Sequence, residues 1–197
     1  GDVPSLGALF SPDLERTIEL APTLVFGVAG QQQSSFFGQL RSRGVRVETL
    51  SPYTLGEVLD SYERIGALVG RPRRGSDLRR SVLRELERIR AATQDETRSV
   101  AVIIERDPLY VVGGGSFVSK LIEAAGGRNV FEDLAAPYPV VSLEVLAERE
   151  PEVLIDTSGA AGGRQWGGLP WSPRVETVRQ GVVSLPGARL PEAARIL

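Results

Sequence analysis

Ser142-Leu143-Glu144-Val145-Leu146-Ala147-Glu148-Arg149-Glu150-Pro151-Glu152-Val153-Leu154-Ile155-Asp156 compresses a helix, a break and a strand into one run. Glu144 complements a helix dipole in the first turn, Pro151 cannot continue the helix, and the β-branched run after it suits a buried strand. The run predicts a helix over 142–149 and a strand over 152–156. The same construction stands 129 residues earlier, where Leu14-Glu15 is followed by Pro22 and by Leu24-Val25-Phe26. A second echo sets Gly44, the strand 45–50 and Pro52 against Gly181, the strand 182–185 and Pro186. Recurrence of one supersecondary unit at a long offset implies two similar lobes.

Working outward from the earlier copy, Ser11 is expected to cap a helix over 12–20, with Pro12 at its first position. A strand over 23–28 follows, then a polar loop with Gln31, Gln32 and Gln33, and a short helix through Phe36, Phe37 and Leu40 that Gly44 ends. Thr54 and Glu57 have the spacing of a capping box, opening a helix whose apolar side carries Leu55, Val58, Leu59, Tyr62, Ile65 and Leu68. Arg71-Pro72-Arg73-Arg74-Gly75 reads as a solvated linker. The longest helical pattern covers 76–94, with Leu78, Val82, Leu86 and Ile89 on one stripe; at about 1.5 Å per residue it is long enough to act as a strut.

Beyond the strut, a strand over 99–104, a loop through Asp107-Pro108-Leu109-Tyr110, a turn at Gly113-Gly114-Gly115-Ser116 and a helix over 117–125 precede the run quoted first. The triple glycine lacks the Lys and the spacing of a P-loop, so it is read as a tight turn with Ser116 as helix cap. Alternation of strand and helix predicts an α/β fold: two Rossmann-like lobes with mainly parallel sheets, joined by one long helix. The expected division is a first lobe over 1–75, a connecting helix over 76–95 and a second lobe over 96–197.

Composition removes several classes of function. The 197 residues contain no Cys, His or Met, so thiolate nucleophiles, imidazole bases and the usual zinc ligand sets cannot be assembled. With 23 Lys+Arg against 25 Asp+Glu there is no basic excess to hold a phosphate backbone, and nucleic acid is not an expected partner. No apolar run reaches the roughly 20 residues of a membrane span. The opening Gly1 is not an initiator, so the chain is read as processed or as a fragment, with no signal peptide of its own.

The segments Pro12-Asp13-Leu14-Glu15 to Val25, Gly44-Val45-Arg46-Val47 to Arg71, Asp107-Pro108-Leu109-Tyr110, Gly126-Gly127-Arg128-Asn129-Val130 and Tyr138-Pro139-Val140-Val141-Ser142-Leu143-Glu144 resemble the helical-backbone substrate-binding proteins of ABC importers, most of all the cobalamin binders. The resemblance implies a non-enzymatic, extracytoplasmic or lipid-anchored carrier that holds a corrinoid in the cleft between its lobes and delivers it to a dimeric permease. It implies docking of Glu15 and Glu144 onto permease arginines. The first lobe is short of at least one strand by the family pattern, and self-association through that edge is a further expectation.

Ligands of open parallel sheets meet the loops at the carboxyl ends of strands. Those loops offer Gln31, Gln32, Tyr53, Arg106, Tyr110, Tyr138, Trp166 and Arg189 as ligand-binding residues, and Tyr138 matches an aromatic contact position of the cobalamin binders. Aromatic faces with amide and guanidinium donors suit the wide, polar-rimmed ring of a tetrapyrrole. No resident cofactor or metal is expected. Two alternatives stand beside the corrinoid: haem or a ferric siderophore on the same scaffold, and a metal-dependent α/β enzyme built on Asp107 and Asp156.

Overall fold

A computed structural model describes residues 4–8, 11–28, 34–93, 97–159, 166–179, 181, 183 and 185–197. They fall into two compact units, Gly1–Ser51 and Pro52–Leu197.

In the first unit, β1 (Gly7–Ala8) pairs antiparallel with β2 (Ser11–Pro12), and α1 spans Leu14–Glu19. Ser11 and Pro12 are therefore strand residues, and the helix cap moves to Asp13, whose carboxylate accepts a hydrogen bond from the Arg16 N–H at 3.0 Å. An acid at this position both satisfies an orphan amide and complements the dipole. Next come β3 (Leu24–Val28), α2 (Ser34–Ser42) and β4 (Arg46–Leu50), with β3 and β4 parallel. Gly44 ends α2 at φ +81°, as expected of a glycine stop. Phe37 and Leu40 of α2 are buried, and Phe37 lies against Gly27 so closely that a Cβ there would stand 2.7 Å from the ring.

The second unit begins with α3 (Leu55–Leu68), where the Thr54–Glu57 capping box is present in both directions. Helix α4 runs over Pro72–Ala92, so the basic segment read as a linker is its first turn, with Pro72 at a first-turn position. Close contact between α3 and α4 explains the reassignment: a Cβ on Gly75 would come within 2.5 Å of the Tyr62 carbonyl. Glycine is required there by helix packing, not by a flexible link. Val82 and Leu86 are the buried stripe of α4.

The main sheet has the order β6-β5-β8-β9, with β7 also pairing β5. Its strands are β5 (Ser99–Arg106), β6 (Leu109–Val111), β7 (Arg128–Asn129), β8 (Val153–Asp156) and β9 (Arg174–Thr177). All pairings are parallel except β5 with β6. The loop expected at 107–110 is thus the tip of a hairpin. The sheet continues through 174–177; of the strand expected at 182–185, Val182 and Ser184 lie outside the described residues and Gly181 and Val183 are in a turn.

Val100 to Ile103 are buried without interruption, as a parallel strand covered on both faces requires. Val100, Val102 and Ile155 enter one core with α3, α4, α5 (Phe117–Ala124) and α7 (Leu190–Ile196); Ala101, Ile103 and Leu154 enter the other with Phe131 and with Leu146 of α6 (Leu143–Arg149). Successive strand residues point to opposite faces, so one run feeds both layers.

The repeat holds at atomic detail. Asp13 and Ser142 cap α1 and α6 by accepting from the amide three residues on, and Thr17 and Leu146 are the buried residue of each helix. Ala21 and Glu150, the two non-glycine residues with positive φ among those described, stand 129 residues apart, each directly before a proline. Arg46-Val47-Glu48-Thr49 of β4 then corresponds to Arg174-Val175-Glu176-Thr177 of β9: Leu24 pairs with Arg46 as Val153 pairs with Arg174. This repeated tetrapeptide, and not the Gly44/Gly181 echo, continues the duplication.

Candidate functional site

The carboxyl ends of β5 and β8 converge on one buried carboxylate. Asp156, fully buried at the end of β8, accepts from Arg106 Nε at 2.7 Å and Nη2 at 2.5 Å, and from the Trp166 indole N–H at 2.7 Å, all on Oδ2. Its Oδ1 accepts from the Ser158 amide at 3.0 Å and hydroxyl at 2.7 Å. Burial raises the pKa of such a group, yet the donors from Trp166, Ser158 and Arg106 outweigh it and hold the carboxyl below its ordinary pKa. Arg106 also stacks over the Trp166 ring, 5.7 Å from its centroid.

Arg106 and Trp166 form one wall of a recess of about 280 Å³. Leu109, Val141 and Leu143 supply its apolar lining, and Asp107, Ser142 and Glu144 its polar rim. Two residues singled out for a ligand and one singled out for docking therefore share a single cavity. The carboxylates named for a metal enzyme do not act as a pair: Asp156 is saturated by Arg106, Trp166 and Ser158, while Asp107 is exposed on the rim. Among the described residues no group of three acids is arranged to hold a cation.

A second cluster joins Tyr53, Ser116 and Tyr138. The Phe117 amide donates to the Tyr53 carbonyl at 2.6 Å, the buried Ser116 hydroxyl accepts from the Val118 amide at 3.2 Å, and the Tyr138 phenol lies beside the Ser116 side chain. Burial, with a smaller contribution from Tyr53, pushes the Tyr138 phenol up. Tyr138 is half-buried and packs on the core, whereas Tyr53 is exposed.

The triple glycine builds the floor under this cluster. Gly113 and Gly114 donate to the carbonyls of Pro137 and Leu134 at 3.0 and 2.8 Å, and a Cβ on Gly113, Gly114 or Gly115 would meet a carbonyl of the 132–136 segment near 2 Å. These amides are spent on the chain itself, so the turn is no phosphate cradle and Ser116 is a helix cap. Asn129, wholly buried, ties the same region together by donating to Val112 and Ser119 and accepting from the Phe131 amide.

Other sequence candidates are placed singly. Tyr110 sits in β6, bridged to Val140 and half-buried. Arg189 is exposed at the amino end of α7, where its carbonyl accepts from Glu192 and Ala193. Glu15 is exposed in the first turn of α1. Gln31 and Gln32 lie outside the described residues. Sequence reasoning named Asp107 and Asp156 only as carboxylates for a metal enzyme and missed that Asp156, with Ser158, holds Arg106 and Trp166 in place; position at a strand's carboxyl end was the available signal.

The family model described as periplasmic binding protein matches residues 1–194. A vitamin B12-binding protein of Vibrio parahaemolyticus is 31% identical over 149 residues, covering 75% of this chain and 54% of the relative. One from Salmonella typhi is 28% identical over 163 residues, covering 80% and 61%. The chain thus spans about three-fifths or less of the length of these relatives. Among solved structures, a possible iron-binding (periplasmic solute-binding) protein of Staphylococcus epidermidis superposes with a TM-score of 0.79 at 24% identity, over 95% of this chain and 79% of that one. The periplasmic heme-binding protein RhuT of Roseiflexus sp. RS-1 gives 0.80 at 23%, over 98% and 81%. The periplasmic vitamin B12-binding protein of Vibrio cholerae gives 0.76 at 20%, over 97% and 78%. At these identities the structures establish a shared fold.

Proposed function

Because the chain belongs to the periplasmic binding protein family, a family of carriers and not of enzymes, we propose that it is the solute-binding component of an ABC importer, acting outside the cytoplasm on a corrinoid. The observation that carries the reading is the 31% identity to a vitamin B12-binding protein over three-quarters of the chain. The aromatic pair Tyr53 and Tyr138 and the recess at Arg106 and Trp166 offer the flat and polar contacts that a large ring with amide arms uses. Haem is the second reading, favoured by the likeness to a heme-binding protein of the same fold.

Titration of the chain with cobalamin, cobinamide, haemin and a ferric siderophore, followed by calorimetry, tests the assignment. Saturable binding of a corrinoid is expected; no affinity for any of the four overturns it. Glu15 and Glu144 are proposed to dock onto cationic residues of the permease, where exposed ion pairs orient more than they bind. Glu15→Ala is the cleaner probe, since Glu144 also rims the recess. It should weaken permease binding in nanodiscs and leave corrinoid affinity unchanged; unaltered docking removes Glu15 from that role.

A further inference from the structure

Helix α4 carries a charge pattern that solute binding does not use. Between Arg71 and Ala92 stand eight arginines and three acids, in a chain whose formal net charge is −2. Arg73, Arg80, Arg84 and Arg88 recur at spacings of seven, four and four, which puts them on one helix face, opposite the buried Gly75, Val82 and Leu86. All four are exposed, and at a rise of 1.5 Å per residue the row is about 22 Å long. Asp77 lies within the row and pairs with Arg80 at 2.5 Å, Glu85 is shared by Arg88 and Arg195, and the exposed Glu87 borders the row. Arg73 and Arg84, with Arg71 and Arg74 at the amino end, have no carboxylate partner among the described residues. Nothing within the helix favours this arrangement. Arg80, Arg84 and Arg88 are successive like charges at i,i+4, and Arg71, Arg73 and Arg74 crowd the positive end of the dipole, where the first turn holds no acid.

We propose that the arginine face of α4 rests on an anionic phospholipid surface, whose phosphates supply the counter-charge that the chain does not. The face is straight and convex, so it meets an extended sheet of headgroups and offers no cleft for a single small anion. A carrier that serves an importer outside the cytoplasm works beside such a surface. The choice of lipid over another polyanion therefore rests on the carrier reading. Because the apolar side of α4 is buried in the core, this helix has no apolar face to insert, and the association is electrostatic, reversible and sensitive to salt. It concentrates the carrier at the membrane without involving Glu15 or Glu144.

The test is co-sedimentation of the chain with vesicles of phosphatidylcholine alone or mixed equally with phosphatidylglycerol. Binding is expected on the mixed vesicles only, and it is expected to vanish in molar salt, where the Debye length shrinks to about 3 Å. Arg73→Gln with Arg84→Gln leaves no carboxylate stranded. It is expected to weaken binding about tenfold or more at an unchanged thermal midpoint. The same loss of charge at Arg43 and Arg128, exposed residues outside α4, is expected to weaken it less than about threefold. No binding to mixed vesicles, equal binding to both kinds, equal weakening by the two double variants, or retention on a DNA duplex but not on vesicles overturns the inference. None of these results bears on solute affinity, which the titration with corrinoids and haemin reads separately, so the two failures are distinguishable.

Discussion

Strands β3 and β8 are the same local design in two settings. Each follows a short capped helix, a left-handed residue and a proline, and each pairs in parallel with an Arg-Val-Glu-Thr strand. In the register of the repeat Gly27 pairs with Thr49 as Asp156 pairs with Thr177. Beyond that the two diverge. β8 lies between β5 and β9, with Leu154, Ile155 and Asp156 buried; β3 pairs with β4 alone among the described residues, and Phe26 is 48% exposed. Asp156 organises Arg106 and Trp166, whereas Gly27 merely makes room for Phe37. A repeated motif thus specifies a scaffold, and the strand laid beside it determines whether the scaffold carries a site.

The sharpest way to break this contrast is Asp156→Ala. Removing one partner of a buried pair strands the other charge, and a loss of about 3–5 kcal/mol is expected in chemical denaturation. A loss under about 1 kcal/mol would mean that Asp156 organises little. Acid titration reads the same contrast. Because the folded-state pKa of Asp156 is depressed, its contribution is complete above the unfolded-state value near 3.9 and disappears as pH falls through the lower folded value. Wild type should therefore lose stability below about pH 4 more steeply than Asp156→Asn, and parallel acid limbs would contradict the assignment.

Smaller in effect is the pairing of Leu154→Ala with Phe26→Ala. The first empties a fully buried site and should cost about 2–5 kcal/mol; the second, on a half-exposed ring, should cost less than about 1 kcal/mol. Similar losses would show that β3 is as deeply held as β8. Smallest, and expected to be alike in both units, is glycine at the left-handed positions. Ala21→Gly and Glu150→Gly relieve φ values of 45° and 42°, and each should raise the denaturation midpoint by about 0.5–1 kcal/mol equivalent. Opposite signs would end the claim that the two breaks are one design.

Much of this was legible because the signals are short-range. The Thr54 capping box, the Ser116 cap, the Gly44 stop and the Leu14/Leu143 repeat each act through a few neighbouring backbone groups. The misread pieces depend on distant partners. Gly75 looked like a linker glycine until Tyr62 was found against it, and the 107–110 loop proved to be a hairpin because Val111 and Tyr110 pair back onto β5. The Arg-Val-Glu-Thr repeat was available in the letters, but an exposed strand such as β9 lacks the apolar alternation by which strands are sought.

The site divides in the same way. The loops at the carboxyl ends of strands followed from α/β alternation, and the structure has Arg106 at the end of β5 and Trp166 bonded to Asp156 at the end of β8. That Arg106 is neutralised from within, that Trp166 reaches back to β8, and that Glu144 shares their recess required the sheet order β6-β5-β8-β9. Sequence by itself determined where helices start, where prolines and glycines stop them, and that one unit occurs twice, since hydrogen bonds and φ preferences are set within a turn or two. Tertiary structure alone decided which strand became β8's neighbour and hence which charges meet, because that choice is made by burial between residues some fifty positions apart.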